Sequence, residues 1–321
     1  MFMMSMSSFS EEADTLARRL NGLAFFLILG LLSACDNNKS TSISKPSPSP
    51  PTTVATETAT STATSTATST ATSTAMETAS PTIDSNSLKK SILQRYDKIK
   101  PLHWGENVPG VRSRLQTKDK VIAITFDACG GPEGSGYDQK LIDFLIHEKI
   151  PATLFINARW IDANPEQFLT LARNPLFDIE NHGFEHRPLS VIGQSAYKIR
   201  GTRNVSEVVD EVQMNEDKIE KLTGRRPQFF RSGTAYYDDV AVHIAQDLGL
   251  TVVNYSILGD AGATFNTQQV YDALMKAKSG SIVIAHMNHP EKDTADGVIK
   301  AVPMLKKAGF TFVKLSSYPL E

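Results

Sequence analysis

With 321 residues, 40% apolar side chains and a formal net charge of −2, the chain has the composition of a globular protein and lacks the basic excess of a nucleic-acid binder. Its two cysteines, Cys35 and Cys129, exclude a disulfide framework, so a hydrophobic core must hold the fold. Charge is unevenly spread: residues 1–84 carry four Lys/Arg and seven Asp/Glu, against 29 and 28 in residues 85–321.

Residues 20–34 form an apolar run behind Arg18 and Arg19 that is short for a membrane span and ends at Leu32-Ser33-Ala34-Cys35. That tetrapeptide resembles a bacterial lipobox. The resemblance implies a lipoprotein signal peptide over 1–35, cleavage before Cys35, lipidation of that cysteine, and a mature protein anchored at the extracytoplasmic face of a cell membrane. Residues 36–84 contain four consecutive Thr-Ala-Thr-Ser repeats from Thr58 to Ser73 and almost no large apolar groups, a composition that cannot bury enough surface to fold. As a disordered tether of roughly 50 residues this segment would span about 40 Å by random-coil scaling.

Order is expected to resume near Ser85, where Leu88, Ile92, Tyr96 and Ile99 share a helical face, in an N-terminal extension covering 85–119. From Val121 onward, strand-like runs are expected at 121–127, 151–156, 177–182, 227–231, 251–256, 281–286 and 310–315. Amphipathic helices separate most of them. The clearest stripe comprises Val205, Val208, Val209, Val212, Ile219 and Leu222. Gly224, Gly249, Gly280 and Gly309 each stand just before a strand, where a glycine can end a helix in the left-handed conformation. Alternating strands and helices predict a parallel sheet with helices outside it, as a barrel or a doubly wound sheet, and place function at the carboxyl ends of the strands.

The chemistry-bearing residues fall there. Asp127, His182, Arg231, Asp260 and His286 lie at or just after five strand ends, with His186 four residues beyond His182. A His-x3-His pair in a tight turn can direct two imidazoles at one ion, which also needs an oxygen donor and an open position for water.

In this order the motifs resemble the polysaccharide deacetylases of carbohydrate esterase family four, whose catalytic unit is the NodB homology domain. Thr125-Phe126-Asp127 is similar to the first motif, His182 and His186 followed by Arg187-Pro188 to the second, and Phe230-Arg231 to the third. Asp260 stands for the fourth and Ile284-Ala285-His286 for the fifth. The resemblance covers about 120–315 and implies a distorted (β/α)7 barrel that hydrolyses acetyl groups, foremost N-acetyl, on a glycan. It further implies Asp127 as general base, His182 and His186 as ligands of a divalent metal, zinc by preference, and Arg231 as the residue orienting Asp127. His286 would be the general acid, tuned by Asp260. The expected partner is an acetylated glycan, met by a monomer.

One position departs from the family. Where it usually has a second aspartate as third metal ligand, this chain has Ala128. Four readings stay open: a carboxylate from elsewhere, Glu133 among the candidates; Asp127 itself; the Cys129 thiolate; or no metal at all. For Cys129 the expectation is a small buried filler under the Gly130-Gly131 loop. The third motif also departs, reading Arg231-Ser232-Gly233-Thr234-Ala235 in place of a proline-containing turn, so no backbone amide is assigned as an oxyanion donor. His289 is expected on the loop after its strand, Trp104 against a sugar or sealing the barrel, and Tyr236 and Tyr237 along a groove. Two further functions stand beside the deacetylase: a metal-independent amide hydrolase of the same fold, and a glycan-binding pseudoenzyme.

Overall fold

The computed structural model describes residues 85–321. The signal peptide, Cys35 and the tether expected over 1–84 lie outside the described residues.

The first long strand sets the architecture. Strand β2 (Val121–Ala128) is buried along its whole length, and its side chains divide by the two-residue period of an extended chain. Ile122, Ile124, Phe126 and Ala128 face an outer cluster with Leu141, Leu145, Val298 and Val302, whereas Val121 and Ala123 join an inner cluster with Leu115, Phe155, Ile282 and Leu315. A strand buried on both faces reads as a continuous apolar run because helices cover one side and the barrel interior fills the other. Burying each such aliphatic side chain contributes about 1.5–3 kcal/mol.

Around β2 the sheet is parallel, with β3 (Ala152–Ile156), β4 (Phe177–Asn181), β7 (Phe229–Phe230) and β9 (Thr251–Val252) on one side. On the other side lie β11 (Ser281–His286) and β10 (Ile257–Leu258), while β12 (Thr311–Val313) pairs with the first half of the β2 edge that β3 takes further on. The two edge strands, β9 and β10, are consecutive in the chain, so the sheet curls toward closure. The segment before β2 runs into that opening, with Arg112 N donating to Val252 O at 2.9 Å and Leu115 N to Gly280 O at 2.8 Å. This is the distorted (β/α)7-type barrel expected from the motifs. All seven expected strands are present, the runs at 227–231 and 251–256 each shortened to two residues, with β10 added.

Four short strands sit outside this sheet. β1 (Trp104–Gly105) pairs with β8 (Tyr237–Asp238), and β5 (Ser195–Ala196) with β6 (Ile199–Arg200) forms a hairpin whose tip residues, Tyr197 and Lys198, both have positive φ. The helices are α1 (Ser85–Tyr96), α2 (Gln139–His147), α3 (Ala158–Ala163), α4 (Pro165–Arg173), α5 (Val205–Thr223), α6 (Asp239–Asp247), α7 (Thr267–Leu274) and α8 (Thr294–Lys307). Helix α5 shows how sequence sets a boundary. The Asn204 side chain accepts from Glu207 N at its start, and Gly224 ends it in the left-handed conformation at φ 70°.

Two expected apolar positions fall outside the core. Leu222 and Ile99 are exposed, because the first lies in the last turn of α5, past the sheet, and the second three residues beyond the end of α1. Ile92 is buried as expected, packing with the α5 and α6 side chains Val208 and Ile244.

Candidate active site

Four strand ends converge at the mouth of the barrel. Thr125 and Asp127 point inward from β2, and Arg231, just past β7, reaches both: its Nη1 donates to Asp127 Oδ1 at 2.7 Å and to Thr125 Oγ1 at 2.9 Å. The remaining guanidinium donors are also met, Nε by Val253 O at 3.2 Å and Nη2 by Asn254 O at 3.1 Å, with the Phe155 ring 4.1 Å beneath. A fully buried arginine is tolerable only with this degree of pairing. Asp127 is thereby held by one oxygen, leaving Oδ2 directed at the histidines, 3.7 Å from His182 Nε2.

The two histidines come from the turn after β4. Asn157 Nδ2 donates to the carbonyls of His182 and Gly183, and the buried Glu211 carboxylate of α5 accepts from Glu185 N at 2.9 Å and Arg187 N at 3.1 Å. The turn packs so closely on α5 that a Cβ at Gly183 would lie 2.4 Å from Glu211 Oε1. His186 adopts a positive φ of 62°, and a Cβ at Gly233 would meet its backbone at 2.5 Å. His182 Nδ1 lies 2.9 Å from Arg231 O. A carbonyl only accepts, so the Nδ1 hydrogen points there and Nε2 faces the site.

What Nε2 faces is Cys129, with Sγ at 3.8 Å. His186 Nε2 is buried without a hydrogen-bond partner, and one donor atom each from Cys129, His182 and His186 lie within 4.8 Å of one another. Burial works against ionisation of the thiol, yet His186, His182 and His286 together hold it well below its ordinary value. Burial likewise opposes the charged form of His182, while Asp127 and Cys129 push it up. Cys129 is therefore not the simple filler expected from the sequence. The strand pleat turns Ala128 outward into the helix-side core and returns residue 129 to the side of Asp127.

His286, the last residue of β11, lies directly across from Asp127 in the sheet register. Asp260, fully buried after β10, grips it twice, accepting from its backbone N at 2.7 Å and pairing with Nδ1 at 2.9 Å, while Thr294 Oγ1 donates to the same carboxylate at 2.9 Å. Burial opposes the imidazolium, but Asp260 and Cys129 hold His286 well above its usual range; in turn, despite burial, His286 and Thr294 hold Asp260 below its own.

These groups floor a groove. A cavity of about 460 Å³ bounded by Tyr197, Tyr255 and Leu258 lies on one side, and an open cleft of about 520 Å³ bounded by Gly131, Arg159 and His289 on the other. Both share Cys129, His186, Ile199, Gly262 and His286. An elongated ligand can thus cross the reactive centre with parts bound on either side.

The remaining expectations divide. Glu133 is exposed on the open cleft and is outside the donor cluster. His289 lines that cleft, paired with Glu291 at 3.2 Å. Trp104 is half-buried behind Tyr236, ring centroids 5.7 Å apart. Tyr237 does not line the groove: it is fully buried, its hydroxyl bonded to Ser232 N and Asn254, because β8 turns it into the core. The sequence marked Thr125 only as part of the first motif and did not mark Glu211 or Thr294; all three act by holding other residues. Sequence reasoning also missed Tyr197, which the β5–β6 hairpin carries to the groove.

Two imidazoles and a thiolate suit a borderline divalent ion such as zinc, and the orphaned His186 nitrogen is what such a site requires before loading. The fold and these strand-end residues define a parallel α/β barrel whose mouth brings the paired Asp127 and His286 beside a Cys/His cluster that could hold a metal ion. Residues 114–253 form a domain that matches the family model described as polysaccharide deacetylase, and the relatives and solved structures it resembles are of carbohydrate esterase family four, the NodB type.

It is similar to the peptidoglycan-N-acetylmuramic acid deacetylase PdaA of Bacillus subtilis, 26% identical over 211 residues, 64% of this chain and 73% of the relative. The solved structure of PdaA superposes with a TM-score of 0.54 at 22% identity, covering 71% and 87% of the two chains. A peptidoglycan-N-acetylglucosamine deacetylase of Bacillus cereus is 27% identical over 206 residues, 63% of this chain and 89% of the relative. A family four pseudoenzyme of Bacillus anthracis shares the fold at a TM-score of 0.55 and 18% identity, over 66% and 69% of the two chains.

Proposed function

We propose that this chain hydrolyses acetamido groups on a cell-envelope glycan of the peptidoglycan type, as its relatives' names describe for them. In this reading it works outside the cytoplasm, tethered to a membrane by lipid on Cys35. The observation that carries the catalytic part is the pairing of Asp127 and His286 across adjacent strands, each with its own buried counter-charge, on the floor of a groove open at both ends.

Bound at His182 and His186, a divalent ion would supply Lewis acidity toward the acetyl carbonyl and a lowered pKa for water. The residues do the rest. Asp127 takes a proton from the attacking water as its oxygen bonds to the acetyl carbon, and Arg231 fixes the carboxylate for that transfer. As the carbon–nitrogen bond breaks, its electron pair passes to nitrogen and His286 donates a proton there, releasing acetate and the free amine. The Asp260 carboxylate favours the protonated form of His286 against the cost of burial. Retention of all four charged partners argues for an enzyme over a glycan-binding pseudoenzyme.

The test is acetate release by the purified full chain from peptidoglycan glycan strands and N-acetylated chitooligosaccharides, with and without chelator. Activity lost on chelation and restored by zinc is expected. Undiminished activity in chelator would point to the metal-independent amide hydrolase, and no release from any glycan would overturn the proposal.

A further inference from the structure

We infer that Cys129 is the third protein ligand of the metal site, making this a Cys-His-His centre, and that its thiolate takes over the role left by Ala128. The inference rests on the metal-assisted reading above and concerns which side chain completes the site.

Geometry carries it. Ala128 ends β2 with its methyl group packed in the outer core, so no side chain at that position in this backbone is aimed at the histidines. Cys129 is, with Sγ 3.8 Å from His182 Nε2. Its backbone is clamped on both sides. Gly130 N donates to Gly134 O at 2.8 Å, Arg159 Nη2 donates to Cys129 O at 3.3 Å, and a Cβ on Gly130 would lie 2.5 Å from Trp160 N. The loop is thus fixed tightly enough to present one side chain in one direction.

The other candidates are committed or absent. Asp127 gives one oxygen to Arg231 and is needed as a base, and Glu133 is exposed on the rim. Meanwhile His182 has its Nδ1 engaged and its Nε2 turned to Cys129 Sγ, and the buried His186 Nε2 has no hydrogen-bond partner. Two nitrogens and one sulfur within 4.8 Å of one another would supply the three protein ligands that a catalytic zinc site has, its fourth position being kept for water. A thiolate also shifts selectivity toward zinc and cobalt and away from magnesium and manganese.

The experiment is metal titration of the purified full chain with Zn²⁺ and Co²⁺, combined with X-ray absorption at the zinc edge. Expected are one zinc per chain, one sulfur scatterer at about 2.3 Å, and a near-ultraviolet sulfur-to-cobalt charge-transfer band in the Co²⁺ form. Cys129→Ala should lose the band and weaken zinc binding by more than the roughly 10–100-fold cost of removing a residue that merely supports a ligand. Cys129→Asp, which keeps an anionic donor, should retain zinc, lack the band, and show by its far-ultraviolet circular dichroism that the domain folds. Stoichiometric zinc bound through nitrogen and oxygen alone would overturn Cys129 as ligand while leaving the deacetylase reading intact. Failure of the folded wild-type chain to bind zinc or cobalt at all would overturn both the ligand and the metal-assisted mechanism.

Discussion

Asp127 and His286 are register partners in neighbouring parallel strands, β2 and β11, and each is locked by a buried partner of opposite charge, Arg231 and Asp260. In the proposed mechanism the base and the acid are therefore both carried by hydrogen-bonded strands of the sheet and not by loops. Placement of this kind keeps a general acid and base in reach of one bond without ordering cost at the moment of reaction.

Asp127→Asn keeps the shape and removes the base. Deacetylation should fall about 10²–10⁴-fold in kcat with KM nearly unchanged, measured by acetate release. Arg231→Ala should do more, because it leaves a buried carboxylate unpaired. A loss on the order of 3–5 kcal/mol in unfolding free energy is expected by urea denaturation. An Arg231→Ala variant as stable as the wild type would mean that the pair does not organise the barrel mouth.

Asp260→Asn should shift the pH profile. Activity requires the protonated His286, whose pKa is raised largely by Asp260, so the wild-type rate falls only when pH climbs past that raised value. With the carboxylate gone the descending limb should move to lower pH. A descending limb that does not move would remove His286 as the acid.

Stability should decline as pH rises from about 4.5 to about 8. Burial raises Glu180 to about 8 and Glu216 to about 7, only partly offset by hydrogen bonds from Phe229 N and Gln228 N to the first and by Arg226 beside the second. Both carboxyls hold protons in the folded chain that the unfolded chain has released in this range. Each therefore lowers unfolding free energy by up to about 1.4 kcal/mol per pH unit across its own window. Glu180→Gln should flatten the upper part of the curve in urea titrations at pH 5 to 9.

Tyr197 lines the 460 Å³ cavity from the tip of the β5–β6 hairpin, with its ring edge-on to Tyr236 at 5.5 Å and its hydroxyl 3.1 Å from Glu106. Tyr197→Ala should raise KM for a tetrasaccharide about three- to tenfold through lost ring contact, an effect of about 1 kcal/mol, with kcat preserved. An equal loss of kcat would assign the tyrosine to the reaction instead of to glycan binding.

The periodicity of 121–127, 151–156 and 281–286 made the barrel strands legible, since a buried parallel strand must be apolar on both faces. Asp127, His182, Arg231, Asp260 and His286 were legible because polar groups interrupt such runs only where the strand leaves the core. The holding roles of Glu211, Thr125 and Thr294 were not, because each works through a contact between segments distant in the chain, and nothing local marks it. Tyr237 was misjudged for a related reason: neighbouring Tyr236 and Tyr237 look alike in sequence, but Tyr237 opens the two-residue strand β8 and is buried with its hydroxyl on Ser232 N and Asn254.

The sequence by itself determined the strand-helix alternation and the ionisable residues at the strand ends, because burial imposes those patterns residue by residue. The choice between Ala128 and Cys129 was decided only by the tertiary structure. A strand's pleat says that successive side chains alternate, but which of them faces the histidines depends on where β2 ends and how its neighbours pair with it. Those pairings with β3 and β11 turn position 128 to the helices and leave position 129 beside His182 and His186.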